Sequence, residues 1–169
     1  MREVVMTARF TVEKTLGKLA KWLRILGFDA CSEPCDAVGS NAQAVSDRIL
    51  LTRTRRRCRE LQGRSFILIR SNDPFDQLKE VICGLSLSPL DIRPFSRCLL
   101  CNEPTEPVSK DAVCHLVPDF VWESHERFCR CGRCQKIYWS GSHTERGMRR
   151  IDALFEDPKP IQLPHGSDS

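Results

Sequence analysis

The chain has 169 residues, 41% hydrophobic and 28% charged, with a formal net charge of +4. That length suits one ordinary domain, or a domain of about 95 residues with a small module attached. It leaves no room for a helical membrane protein, because no apolar run approaches the ~20 residues needed to cross a bilayer. The charged opening MREVVMTARF also lacks the apolar stretch of a secretory signal, so the chain reads as soluble and cytoplasmic.

The charge is unevenly spread. Residues 1–70 hold 14 Lys/Arg against 7 Asp/Glu, and the remaining 99 hold 12 against 15. A basic first half suits a polyanionic partner, although a merely solvated basic face gives the same count.

In chain order, Phe10–Val12 is a short apolar run, and Thr15 to Leu26 then repeats apolar residues at helical spacing. Leu16, Leu19, Ala20, Leu23 and Leu26 form one face, with Lys14, Lys18, Lys21 and Arg24 on the polar side. Gly27 is placed to end that helix. A strand near Phe28–Cys31 and a weak helix around 42–46 follow. Ile49–Thr52 and Phe66–Ile69 are compact runs of the buried parallel-strand kind, with a helical stretch over 55–61 between them. Asp73 followed by Pro74 starts a helix that runs to Gly84. Strands alternating with helices at this spacing predict an α/β fold with a parallel sheet flanked by helices.

Residues 85–95, with Pro89 and Pro94, read as a linker between a first unit (1–95) and a second (96–150). In the second, Phe128–Arg130 and Lys136–Trp139 are expected as strands joined by a turn. Ser142 to Glu145 has capping-box spacing and should start a helix toward Phe155. Of residues 151–169, the Pro/Gly/Ser-rich part after Asp157 is expected to be disordered.

Ten cysteines without an export signal point away from a disulfide framework. Cys98-x-x-Cys101 and Cys131-x-x-Cys134 are two knuckles of the kind that present two sulfurs each to one zinc ion. Two such turns close a tetrahedral shell and leave no open position, which predicts a structural ion holding a segment too small for its own core. Asn102 tolerates the left-handed backbone that such turns often need. Cys129 offers a rival third thiol in the second knuckle, and His115 and His125 are further candidates. Cys31, Cys35, Cys58, Cys83, Cys114 and Cys129 otherwise read as free thiols.

In a parallel sheet, ligands gather beyond the C-terminal strand ends. Glu13 follows the first strand, Asp36 precedes the second helix, Thr54 follows the third strand, and Asn72 with Asp73 follows the fourth. Converging there, they could hold Mg²⁺ or Mn²⁺ for phosphodiester chemistry. Lys14, Lys18, Lys21 and Arg53 could grip a nucleic-acid backbone. The plain readings are a helix cap for Asp73, a turn residue for Asp36 and a surface charge for Glu13.

The stretch from Phe10 to Asp29 resembles the opening of the Mut-seven carboxy-terminal RNase family. So do Ile49 to Arg53, Arg70 to Pro74, Arg93 to Cys98 and Tyr138 to His143, and the resemblance covers roughly residues 8–150. It implies a PIN-like nuclease domain fused to a zinc ribbon, cleaving RNA with Mg²⁺ or Mn²⁺ held by acids. Carried onto this sequence, the family's acid positions fall on Glu13, Asp36, Thr54 and Asn72, with Asp73 beside the last. The family typically carries Asp where Glu13, Thr54 and Asn72 stand, so weaker metal binding is expected. Three functions are therefore in view: a metal-dependent ribonuclease weakened by these substitutions, a non-catalytic RNA-binding module, and a protein-docking module that uses the ribbon.

Overall fold

The computed structural model describes residues 8–32, 47–56 and 65–156, with the backbone alone for 142–145. Four short parallel strands form the first sheet: β1 (Arg9–Val12), β2 (Asp29–Ser32), β3 (Ile49–Thr52) and β4 (Phe66–Leu68), in the order β2-β1-β3-β4. All three pairings are parallel, with Phe10 opposite both Ala30 and Ile49, and Leu51 opposite Ile67. The second sheet is antiparallel, β5 (Thr105–Val108), β6 (Phe128–Cys131) and β7 (Ile137–Trp139), in chain order. This is the expected α/β architecture, followed by a small sheet that carries the knuckle cysteines.

Helix α1 (Gly17–Ile25) follows a single 3-10 turn over Lys14–Leu16, and it ends where Gly27 takes φ +91°. Leu16, Leu19, Ala20, Leu23 and Leu26 are all buried against Phe10, Val12 and Phe28, as the helical spacing predicts. The rings of Phe10 and Phe28 meet edge to face, 5.7 Å apart. Helix α2 (Pro74–Gly84) starts and stops where the sequence places it and adds Leu78, Val81 and Ile82 to this core. Burying each such side chain contributes about 1.5–3 kcal/mol relative to leaving it in water.

Beyond the second sheet, helix α4 (Ser142–Glu156) returns to the first core, where Ile151 and Leu154 are buried. Arg150 lies 4.3 Å over the Phe75 ring, which itself meets Trp22 edge to face. A second, smaller core of Val113, Val117, Val121 and Phe128 sits beneath the second sheet. Helix α3 (Asp119–Ser124) supplies Val121 to it.

Three features differ from the sequence reading. Arg24, expected on the polar face, is buried, because its guanidinium serves a backbone carbonyl of the first sheet and two in the first cysteine knuckle (below). The linker 85–95 is zipped to the end of α1: Arg93 N–H donates to Leu26 O and Phe95 N–H to Ile25 O. A Ser88/Asp91 capping box shapes its 3-10 turn. Cys31 is disulfide-bonded, not a free thiol. The helix expected over 42–46, most of that over 55–61, and Cys35 and Cys58 lie outside the described residues.

The linker passes so close to α1 that a Cβ on Gly27 would lie 2.2 Å from Arg93 O and 2.6 Å from Ser96 Oγ. Since φ is also positive there, Gly27→Ala is expected to destabilise the protein by more than ~1 kcal/mol, read as a lowered denaturation midpoint in urea.

Candidate functional site

The two knuckles are built alike. In each, the N–H of the first cysteine (Cys98 or Cys131) donates to the carbonyl five residues on (Glu103 or Lys136). Its own carbonyl accepts from the N–H four residues on (Asn102 or Gln135). That fourth residue takes a left-handed backbone, φ 63° at Asn102 and 60° at Gln135. The result aims both sulfurs of each turn inward. The Sγ atoms of Cys98, Cys101, Cys131 and Cys134 all lie within 4.8 Å of one another. Sulfurs at ~2.3 Å from a tetrahedral zinc would be ~3.8 Å apart, so the quartet fits the ion. One pair, Cys98 and Cys134, lies 3.6 Å apart. Cys129 stands in β6 outside this cluster, and so do His115 and His125.

The electrostatics fit a cation as well. Burial pushes the Cys98 pKa up, but the Cys101 and Leu100 N–H groups and the Tyr138 hydroxyl outweigh it and bring it down to about 6. Cys101 is driven to about 12, first by its hydrogen bond with Cys134 and then by burial and Cys98. The hydrogen bonds of the first knuckle thus favour thiolate at Cys98, and a divalent ion at the centre would let all four sulfurs ionise.

The first knuckle is locked to the first sheet. Arg24 donates from Nε to Ala30 O (2.9 Å) and from Nη1 to Leu99 O (2.8 Å) and Leu100 O (3.3 Å). Asn102 accepts from Ala30 N–H (3.0 Å) and donates from Nδ2 to Asp29 Oδ1 (2.7 Å). Asp29 in turn takes a two-pronged ion pair from Arg48, both arms at 2.8 Å. Burial works to raise the Asp29 pKa, but the Arg48 and Asn102 hydrogen bonds and the Arg48 charge hold it below the usual carboxylate range. Tyr138 completes the knuckle, accepting from Leu99 N–H and bonding Cys98 Sγ, both at 3.1 Å.

At the other end of the parallel strands, Glu13 is held in place by four donors. Its Oε2 accepts from Thr52 Oγ1 (2.5 Å) and Arg53 N–H (2.8 Å), and its Oε1 accepts from Thr15 Oγ1 (3.2 Å) and Thr54 Oγ1 (3.4 Å). Partial burial raises the Glu13 pKa, yet these bonds together lower it, so the carboxylate stays ionised. Four donors match the roughly four lone-pair sites of a carboxylate. The two on Oε1 are long and come from exposed residues, which makes Oε1 the oxygen that can turn to another partner.

Arg53 joins this site to the next strand end, donating from Nη2 to Asn72 Oδ1 (2.5 Å). Buried Gln77 fixes that loop through Ser71 O and Asn72 O. Asp73 is the cap of α2, accepting Phe75 N–H and Asp76 N–H on Oδ1 alone. The structure therefore brings Glu13, Arg53, Thr54 and Asn72 together at one rim, with Asp73 beside them in the chain. Asp36 lies outside the described residues. Lys14, Lys18 and Lys21 are exposed on the turn and helix that follow Glu13. Among the described residues, the only cluster of three or more His, Cys, Asp or Glu side chains is the cysteine quartet. The sequence reading missed Thr52, Gln77 and Tyr138. Only Thr52, a polar residue closing an apolar strand run, left a trace in the pattern.

A profile of the Mut7-C RNAse domain matches residues 8–151. The chain belongs to that family. No curated protein and no solved structure gives a significant match. Membership in this RNase family implies RNA as the substrate class, and the cysteine quartet is that of a zinc ribbon. Among the described residues, no helix is long and apolar enough to cross a membrane.

Three outcomes follow from this geometry. Purified protein should carry about one zinc per chain, and Tyr138→Phe should weaken zinc retention about 10-fold or more in a chelator competition. Asp29→Asn should cost about 1.5–3 kcal/mol at neutral pH by removing the charged partner of the half-buried Arg48. Because the folded pKa of Asp29 is depressed, that contribution is present above the unfolded carboxylate pKa. It is lost as pH falls through the folded value, so the gap between wild type and variant should narrow in acid.

Proposed function

We propose that this chain is a metal-dependent ribonuclease that hydrolyses phosphodiester bonds at the Glu13 rim, with the PIN-like part in residues 1–95 and the ribbon in 96–150. The observation that carries the reading is the Glu13 carboxylate, kept ionised at the C-terminal edge of a parallel sheet and joined through Arg53 to Asn72. Its donor set, carboxylate with hydroxyl and amide oxygens, is the all-oxygen kind that Mg²⁺ or Mn²⁺ takes. The second oxygen of Asp73 would add to it.

A divalent ion bound there supplies charge neutralisation at the scissile phosphate and lowers the pKa of the attacking water. The chain's own residues do the rest. Thr52 and the Arg53 N–H fix the Glu13 arm through Oε2, leaving Oε1 to face the site. Thr54 and Asn72 add neutral oxygens where a carboxylate would bind more strongly. Arg53, Lys14, Lys18 and Lys21 hold the RNA backbone by phosphate contacts that carry no sequence preference. The zinc ion, held by Cys98, Cys101, Cys131 and Cys134, is structural.

A second reading, an RNA-binding module without turnover, is favoured by one observation: every lone-pair site of Glu13 already has a protein donor. It predicts salt-dependent binding and no cleavage stimulated by divalent ions.

Single-stranded RNA incubated with the protein and Mn²⁺ separates the two. Cleavage should fall at least ~100-fold in Glu13→Gln. Asn72→Asp, which restores a negative charge, should lower the Mn²⁺ concentration needed for half-maximal rate. Equal cleavage by wild type and Glu13→Gln would remove the hydrolytic reading.

A further inference from the structure

Away from the Glu13 rim, the ribbon carries a cavity of about 420 Å³ between α3, β7 and the linker, within the size range of small-ligand pockets. Four of its ten lining residues are aromatic: Phe95, Phe120, Tyr138 and Trp139. His125 and Lys136 are also in the lining, and no acidic residue is. Phe120 is 69% exposed, a large ring left facing water at the mouth.

Two features hold this shape in place. Phe95 has φ +61°, a left-handed backbone that is unusual for a bulky residue. Both of its backbone groups are bonded, the N–H to Ile25 O and the carbonyl to Thr105 Oγ1, each at 2.9 Å. The ring is thereby set into the cleft by the linker that joins the two sheets. Gly141 keeps one wall open: a Cβ there would lie 3.3 Å from Trp139 Nε1 and 4.0 Å from His125 Nε2. Two ring nitrogens thus approach a single point on that wall.

We propose that this cleft takes an unpaired base of a single-stranded nucleic acid. Flat aromatic faces stack on any base, the Trp139 and His125 nitrogens can meet a base edge, and Lys136 offers a contact to the adjoining phosphate. Lys136, with no acidic residue in the lining to offset it, favours a polyanionic occupant over a neutral apolar peptide. The inference rests on RNA as the partner and gives the ribbon the role of holding the strand while the Glu13 rim meets its backbone.

The test compares a fluorescein-labelled 12-nucleotide oligouridine with an abasic ribose-phosphate chain of the same length, in low salt without added Mg²⁺ or Mn²⁺. Wild type should bind the base-bearing strand about ten-fold more tightly than the abasic one. Phe120→Ala, an exposed position whose variant should keep its zinc, should lose that preference while binding the abasic strand as before. Lys136→Ala should weaken both. If Phe120→Ala keeps the full preference, the base does not sit in this cleft, although RNA remains the partner. If wild type binds neither strand, the base-binding cleft and the RNA reading fall together. If Phe120→Ala leaves RNA affinity intact and instead abolishes a concentration-dependent dimer, the cleft is a protein contact and the proposal is wrong.

Discussion

The structure depends on one buried guanidinium. Arg24 projects from the last turn of α1 and donates to Ala30 O on β2 and to the Leu99 and Leu100 carbonyls inside the first knuckle. An arginine so placed keeps its charge, so its desolvation must be met by acceptors on every side. Burial draws its pKa down, and negative charge at Cys98 and Asp29 works the other way. The carbonyls at 99 and 100 lie in a tight turn with no strand partner for them, and the guanidinium supplies what a strand would. Asn102 and Asp29 reinforce the same seam with neutral and ionic bonds. The parallel sheet and the ribbon are therefore joined by specific polar bonds, which fix orientation more sharply than an apolar contact would.

At the opposite sheet edge the same logic works on a carboxylate. Thr52 is fully buried at the end of β3, and its hydroxyl is committed to Glu13. The longer Glu arm, one methylene beyond Asp, is thereby folded back against the strand end and steadied, which limits the positional freedom that the extra carbon introduces. Thr54 and Asn72 at this rim are neutral, and Arg53 brings a positive group into contact with Asn72.

Much of this was legible in the residues. Helix α2 was bounded correctly because Asp73-Pro74 and Gly84 are strong local signals that tertiary packing had no reason to override. The knuckles were legible because a repeated two-residue gap between cysteines has few other uses. Strand β5 was not: Thr105–Val108 contains Pro107, which argues against a strand unless it lies at an edge, and that edge exists only once β6 is paired with it. Arg24 read as a solvated helix position because its true partners lie 75 and 76 residues away. The linker misled for a similar reason, since its prolines are real but its hydrogen bonds run to the end of α1. At the Glu13 rim, sequence order placed Glu13, Thr54 and Asn72 after successive strands, and the structure links them by hydrogen bonds through Arg53. The helix cap at Asp73 was one of the plain readings, but the sequence could not show that threonine hydroxyls would hold the Glu13 carboxylate.

Helix α4 has a topological consequence. By planting Ile151 and Leu154 in the first core, it makes the ribbon a closed excursion anchored at both ends instead of a pendant flap. A pendant segment can peel away from its free end, but a tethered one must open as a loop, and the entropy of loop closure grows only slowly with length. Extra residues in the far part of that excursion, around the turns between β5 and α3, would add little to its cost. The ribbon is thus where this chain could gain length most cheaply without loosening its hold on the sheet.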